Sequence, residues 1–171
     1  MPEVDDALRQ ALAAAPIAIL HHEPSTGTMG SSPRIIFNAD GTRLATASYS
    51  GWGAARLVDA ASGDELAVFQ YEDEAKIADM AFSPDGTKLA IVVSDTLRLL
   101  DSSSGQELAV LSHNEPVRRI IFGPAPHDTI LATVSGDGKT VYLWDRAKEK
   151  RLAVLRHDSW VTDAMFNATA S

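Results

Sequence analysis

The sequence repeats itself at a period near 43 residues, and that constrains its fold more than any other feature. Leu66-Ala67-Val68-Phe69 returns as Leu108-Ala109-Val110-Leu111 and as Leu152-Ala153-Val154-Leu155, at spacings of 42 and 44. Ile17-Ala18-Ile19-Leu20 is a further copy upstream. A second marker runs in phase: Ile36-Phe37, Ala81-Phe82, Ile121-Phe122 and Met165-Phe166, at spacings of 45, 40 and 44. A third is Leu44-Ala45-Thr46-Ala47-Ser48, Leu89-Ala90-Ile91-Val92-Val93 and Leu131-Ala132-Thr133-Val134-Ser135. A fourth ends in an acid: Arg56-Leu57-Val58-Asp59, Arg98-Leu99-Leu100-Asp101 and Tyr142-Leu143-Trp144-Asp145.

Each unit holds four short apolar runs separated by turn formers: Asp40-Gly41, Ser62-Gly63, Asp85-Gly86, Ser104-Gly105 and Asp137-Gly138. Short β-rich runs bounded by such pairs read as strands joined by tight hairpins. The unit is therefore a four-stranded antiparallel meander. Such a sheet buries both faces only by stacking on neighbours, which makes the expected fold all-β and of the β-propeller type.

Phe82-Ser83-Pro84-Asp85-Gly86-Thr87-Lys88-Leu89-Ala90 and Val141-Tyr142-Leu143-Trp144-Asp145 resemble the WD-repeat motif, and the resemblance runs over about residues 17–166. It implies an outer, an inner and two middle strands per repeat, the outer strand completing the preceding blade. In the third repeat these fall near residues 107–111, 117–122, 130–135 and 140–145, with 151–155 closing the blade. The resemblance also implies a buried hydrogen-bond relay of His, Ser or Thr, Asp and Trp. The third repeat carries every type: His113, Thr133 or Ser135, Asp137 and Trp144. The second has Tyr71 in place of the His and Leu100 in place of the Trp. In the first, Val58 replaces the Trp, which leaves both blades to apolar packing.

The chain supplies three complete sheets, a spare outer strand at 17–20 and a spare inner strand at 161–166. Three blades do not close a ring. The expectation is a piece of a longer protein or a ring built from several chains, with spare edges that invite self-association. Residues 1–16 are the helical candidate and 17–171 the partial propeller. Leu8, Leu12 and Ala15 share a helical face, and Pro16 stops it. The run from Leu8 to Ala15 is similar to the helical linker that leads into the WD-repeat sensor of bacterial STAND-type signalling ATPases. A capping helix over a sheet edge is the other reading.

Composition narrows the function. The 171 residues hold 15 Lys+Arg against 23 Asp+Glu, a net charge of −8. Nucleic acid and anionic membrane surfaces are poor partners for that balance. There is no cysteine, which removes thiol nucleophiles and thiolate metal sites. The apolar stretch 11–20 is too short to span a bilayer and lacks a basic flank, so a cytoplasmic location is the default expectation.

Several motifs invite chemistry and have plainer readings. Gly136-Asp137-Gly138-Lys139-Thr140 ends like a phosphate-binding loop, but Thr133 stands where the first glycine belongs and a strand follows it, so it reads as a hairpin turn. His22, His113 and His157 recur at one place in successive repeats, too far apart to share a metal. Glu72-Asp73-Glu74 reads as a solvated turn, and Asn167-Ala168-Thr169 as a chance sequon. No catalytic residue, metal site or cofactor is expected. The candidate binding face is Tyr49, Trp52, Arg118 and Trp160, residue types that anchor interfaces, in loops expected on one face. The candidate channel rim is Arg34, Asp79, Arg119 and Asp163, at matching inner-strand positions. The expected function is a non-catalytic scaffold or sensor for a protein partner. Self-assembly is the alternative, and a channel hydrolase or lyase the less favoured one, for want of a nucleophile among the rim residues.

Overall fold

The computed structural model describes residues 34–47, 54–71, 77–124, 130–146, 148, 150–162 and 164–166. The expected helix in 1–16 and the spare strand at 17–20 lie outside them. The described residues form twelve strands in three four-stranded antiparallel sheets. The first sheet is β1 (Arg34–Phe37), β2 (Arg43–Ala47), β3 (Ala54–Asp59) and β4 (Glu65–Gln70). The second is β5 (Ile77–Phe82), β6 (Lys88–Val93), β7 (Thr96–Asp101) and β8 (Glu107–Ser112). The third is β9 (Val117–Phe122), β10 (Ile130–Ser135), β11 (Thr140–Asp145) and β12 (Lys150–Arg156). Each sheet is a meander in chain order. Three of the third repeat's expected strands coincide with β9, β10 and β11, and the outer strands extend a residue beyond expectation.

The sheets stack through the alternation of their strands, since successive side chains point to opposite faces. Leu89, Ile91 and Val93 of β6 pack with Ala45, Ala47, Ala55 and Leu57 of the first blade. The intervening Ala90 and Val92 join Leu97 and Leu99 in packing on Val117, Ile120, Leu131, Tyr142 and Trp144 of the third. The middle blade is apolar on both faces, which explains why β6 reads as a continuous apolar run rather than an alternating one.

Turns are closed by acids. Asp101 at the end of β7 accepts hydrogen bonds from the Ser103 and Ser104 amides at 3.0 and 2.9 Å, and Asp59 does the same for Ala61 and Ser62. Side-chain bonds from Ser103 and Ser104, backed by their amides, hold the Asp101 carboxyl down at about 2. Gly105, which follows, has φ +71° and sits against Ala67 of the first blade's outer strand.

The described residues of 161–166, where a spare inner strand is expected, are not in a strand. Val161 and Phe166 pack on Ala132, Val134 and Val141 of the third blade, but the three sheets hold no ladder for this segment. A strand is defined by a paired neighbour, and apolar packing alone does not supply one. No helix among the described residues is long and apolar enough to cross a membrane.

Candidate functional site

The residues singled out in the sequence fall into three groups in space. The first is the relay. His113 leaves the end of β8 and reaches the third blade, where its Nε2 lies 2.8 Å from Thr133 Oγ1. Trp144 Nε1–H donates to the same oxygen at 3.1 Å. The indole can only donate, so the threonine hydroxyl accepts from it. We assign its own proton to the Nε2 lone pair of a neutral histidine. Burial lowers the His113 pKa below its ordinary value, in keeping with that assignment. The imidazole meets the rings of Tyr142 and Trp144 edge-on, with centroids 5.5 and 4.7 Å away.

Ser135 and Asp137 form a separate couple. Ser135 Oγ donates to the Asp137 carboxylate, which also accepts the Lys139 amide at 2.7 Å and the Thr140 amide at 3.2 Å. Those bonds hold the Asp137 carboxyl at about 2. The five relay residues thus divide into a buried triad and a turn clasp. The Gly136–Thr140 motif is the β10–β11 turn, with Gly138 at φ +71°.

The other blades show what replaces the triad. Tyr71 stands at the His113 position, beside Ile91 and Leu100 in the first apolar cluster. Its hydroxyl has no hydrogen-bond partner among the described residues, and burial pushes its pKa up to about 12. In the first blade Thr46 matches Thr133, and its hydroxyl is buried without a partner among the described residues.

The second group is Arg118 and Trp160. The Trp160 ring is 65% exposed and lies under the Arg118 guanidinium at 5.4 Å from its centroid. Arg118 Nη2 also donates to the Val161 carbonyl at 3.3 Å. The loop that carries Trp160 is pinned to the β10–β11 turn: the His157 amide donates to Lys139 O at 3.0 Å and the Val161 amide to Gly138 O at 2.7 Å. The same two bonds recur one repeat earlier, from His113 to Asp95 O and from Val117 to Ser94 O. Residues 157–161 therefore occupy the position of an outer-to-inner loop. A side chain on Gly138 would press on the Trp160 ring at 3.3 Å. Tyr49 and Trp52, the other candidates for this face, lie outside the described residues.

The third group sits where the inner strands begin. Asp79 of β5 is 2% exposed and joins all three blades. Its Oδ1 accepts the Met80 amide at 2.8 Å and pairs with Arg34 Nη2 of β1 at 2.6 Å, and its Oδ2 accepts the Ile120 amide of β9 at 2.8 Å. Burial raises its pKa against the pull of the Ile120 N–H and Arg34. Arg119 Nη1 donates to the Thr162 carbonyl at 3.4 Å. Arg34, Asp79, Arg118 and Arg119 line one cavity of about 440 Å³. Asp163, the fourth rim candidate, lies outside the described residues. That Asp79 bridges three sheets was not legible in the sequence. The nearest signal was an acid inside an otherwise apolar strand, Ile77 to Phe82.

The stacked meanders define blades of a β-propeller. Residues 105–145, the stretch that carries the triad, match the family model of the WD domain, G-beta repeat. A crystal structure of RRP9 WD40 repeats is similar, with a TM-score of 0.65 at 21% identity over 81% of this chain and 44% of that one. Hydrazine synthase of Kuenenia stuttgartiensis is similar at a TM-score of 0.63 and 16% identity, over 81% of this chain and 40% of that one. The chain spans less than half the length of these two structures, and at those identities the likeness shows the fold. No curated protein matches the chain.

Proposed function

We propose that this chain is a non-catalytic binding scaffold for a protein partner, and that its binding face carries the outer-to-inner loops and the β10–β11 turn. The observation that carries the reading is Trp160. A large ring is left 65% exposed yet held in place by Gly138 below, Arg118 above and two backbone hydrogen bonds beside it. An aromatic anchor that is exposed and already ordered loses little entropy on binding. WD-type propeller blades commonly mediate protein–protein contact, which supports the same reading. Residues 17–171 are read as the propeller part and 1–16 as a linker. A sensor role within a larger bacterial signalling protein rests on the likeness of Leu8 to Ala15 to such linkers.

The test is selection of peptides from a random display library on the immobilised chain, with counter-screening on the variant R118Q/W160A. Enriched peptides that lose binding to the variant support the reading. Peptides that bind both equally, or no enrichment at all, contradict it.

A second reading, self-assembly, draws on β1, where Ile35 and Phe37 are 58% and 60% exposed on one strand. Sedimentation equilibrium separates the two. A mass fixed at 18.3 kDa across concentration contradicts self-assembly.

A further inference from the structure

Charge around the inner-strand cavity runs opposite to charge on the molecule. The chain carries a net −8, yet the described residues that line the cavity of about 440 Å³ are three arginines and one aspartate. The aspartate offsets one of them, Arg34, with which it pairs at 2.6 Å. Asp79 is 2% exposed, and its two oxygens are engaged by two backbone amides and Arg34. The arginines are oriented by the protein. Arg34 is held by Asp79 with its side chain 42% exposed, Arg118 by the Val161 carbonyl and the Trp160 ring, and Arg119 by the Thr162 carbonyl. A guanidinium has five N–H donors in a planar fork that matches a carboxylate. Asp79 and the Val161 carbonyl each engage one Nη2 group and so orient the Arg34 and Arg118 forks.

We propose that this cavity binds carboxylates, and that its ligand is an acidic segment of a protein partner. The proposal rests on the binding-face reading above and names the partner's chemistry. Two observations favour an acidic peptide over a polyanion such as RNA. A net charge of −8 opposes a long polyanion, whereas a short acidic segment meets mainly the local cations. Trp160, stacked on one of the lining arginines, also offers an apolar contact beside the cavity that a peptide side chain can use.

The test is fluorescence anisotropy of a labelled, N-acetylated hexaglutamate amide titrated with the 171-residue chain. Binding is expected at 20 mM salt, at least tenfold weaker at 200 mM salt and at least fivefold weaker in R118Q/R119Q. If the double variant does not fold by circular dichroism, R118Q alone carries the comparison. No binding at millimolar protein overturns the proposal, as does unchanged affinity in the folded variant. Displacement of the peptide by inorganic phosphate as effectively as by unlabelled hexaglutamate also overturns it, because the cavity is then a simple anion site. Display-selected peptides that need Trp160 but carry no acid would overturn this proposal and leave the binding-face reading intact.

Discussion

Thr133 has one hydroxyl and two neighbours that need it. Trp144 must donate its indole N–H, and His113, arriving from the previous blade, presents a ring nitrogen to the same oxygen. Replacing Thr133 with valine keeps the volume but leaves both buried groups without a partner. A buried polar group left unsatisfied costs about 1–3 kcal/mol, and T133V should lose stability on that scale in urea unfolding. The equivalent I91V, in a blade that has no such triad, should cost about 0.5–1.5 kcal/mol through lost packing alone. His113 adds a pH dependence. Burial lowers its folded pKa below the unfolded value of 6.5, so its stabilising share is complete above pH 6.5 and is lost as pH falls from there towards the lower folded value. The drop in urea midpoint between pH 7.5 and pH 5.5 should be smaller in H113Q than in the wild type. An equal drop in both would contradict this assignment.

At the scale of the element, much was legible, for a physical reason. Strands read well where a turn former and an apolar run recur in phase, so β9, β10 and β11 are found at their expected limits. The expected strand at 161–166 failed because the pattern reports which residues are apolar, not whether a partner strand is there to receive their hydrogen bonds. The site was less legible still. Thr133 and Ser135 are both hydroxyl-bearing residues on one strand, and only the side-chain geometry separates the triad from the turn clasp. The turns also hold information beyond their type. Gly41 and Gly105 share a left-handed φ near +71°, yet a β-carbon on Gly41 meets nothing within 4 Å among the described residues, whereas one on Gly105 collides with Ala67 Cβ in the neighbouring blade. G41A should cost only the left-handed penalty of about 1–2 kcal/mol. G105A should cost about 1–3 kcal/mol more through overpacking between blades. Paired denaturant unfolding measures the difference, and equal losses would mean that the blades do not meet closely there.

At the scale of the whole molecule, three sheets are registered by a few polar stitches laid over apolar stacking. Asp79 ties the three inner strands together, and His113 ties the second blade's outer strand to the third blade's middle strands. The loops they flank emerge on one face, with the Arg118–Trp160 pair beside the arginine-lined cavity. A rigid frame that holds an exposed aromatic and several cations side by side is what the proposed recognition rests on. The most direct measurement of that account is amide hydrogen exchange with and without a display-selected ligand. Slowed exchange concentrated in residues 113–119, 136–139 and 157–162 is the predicted footprint. Slowed exchange confined to the turns at 59–64 and 101–106, where strand three of a blade meets strand four, would contradict it.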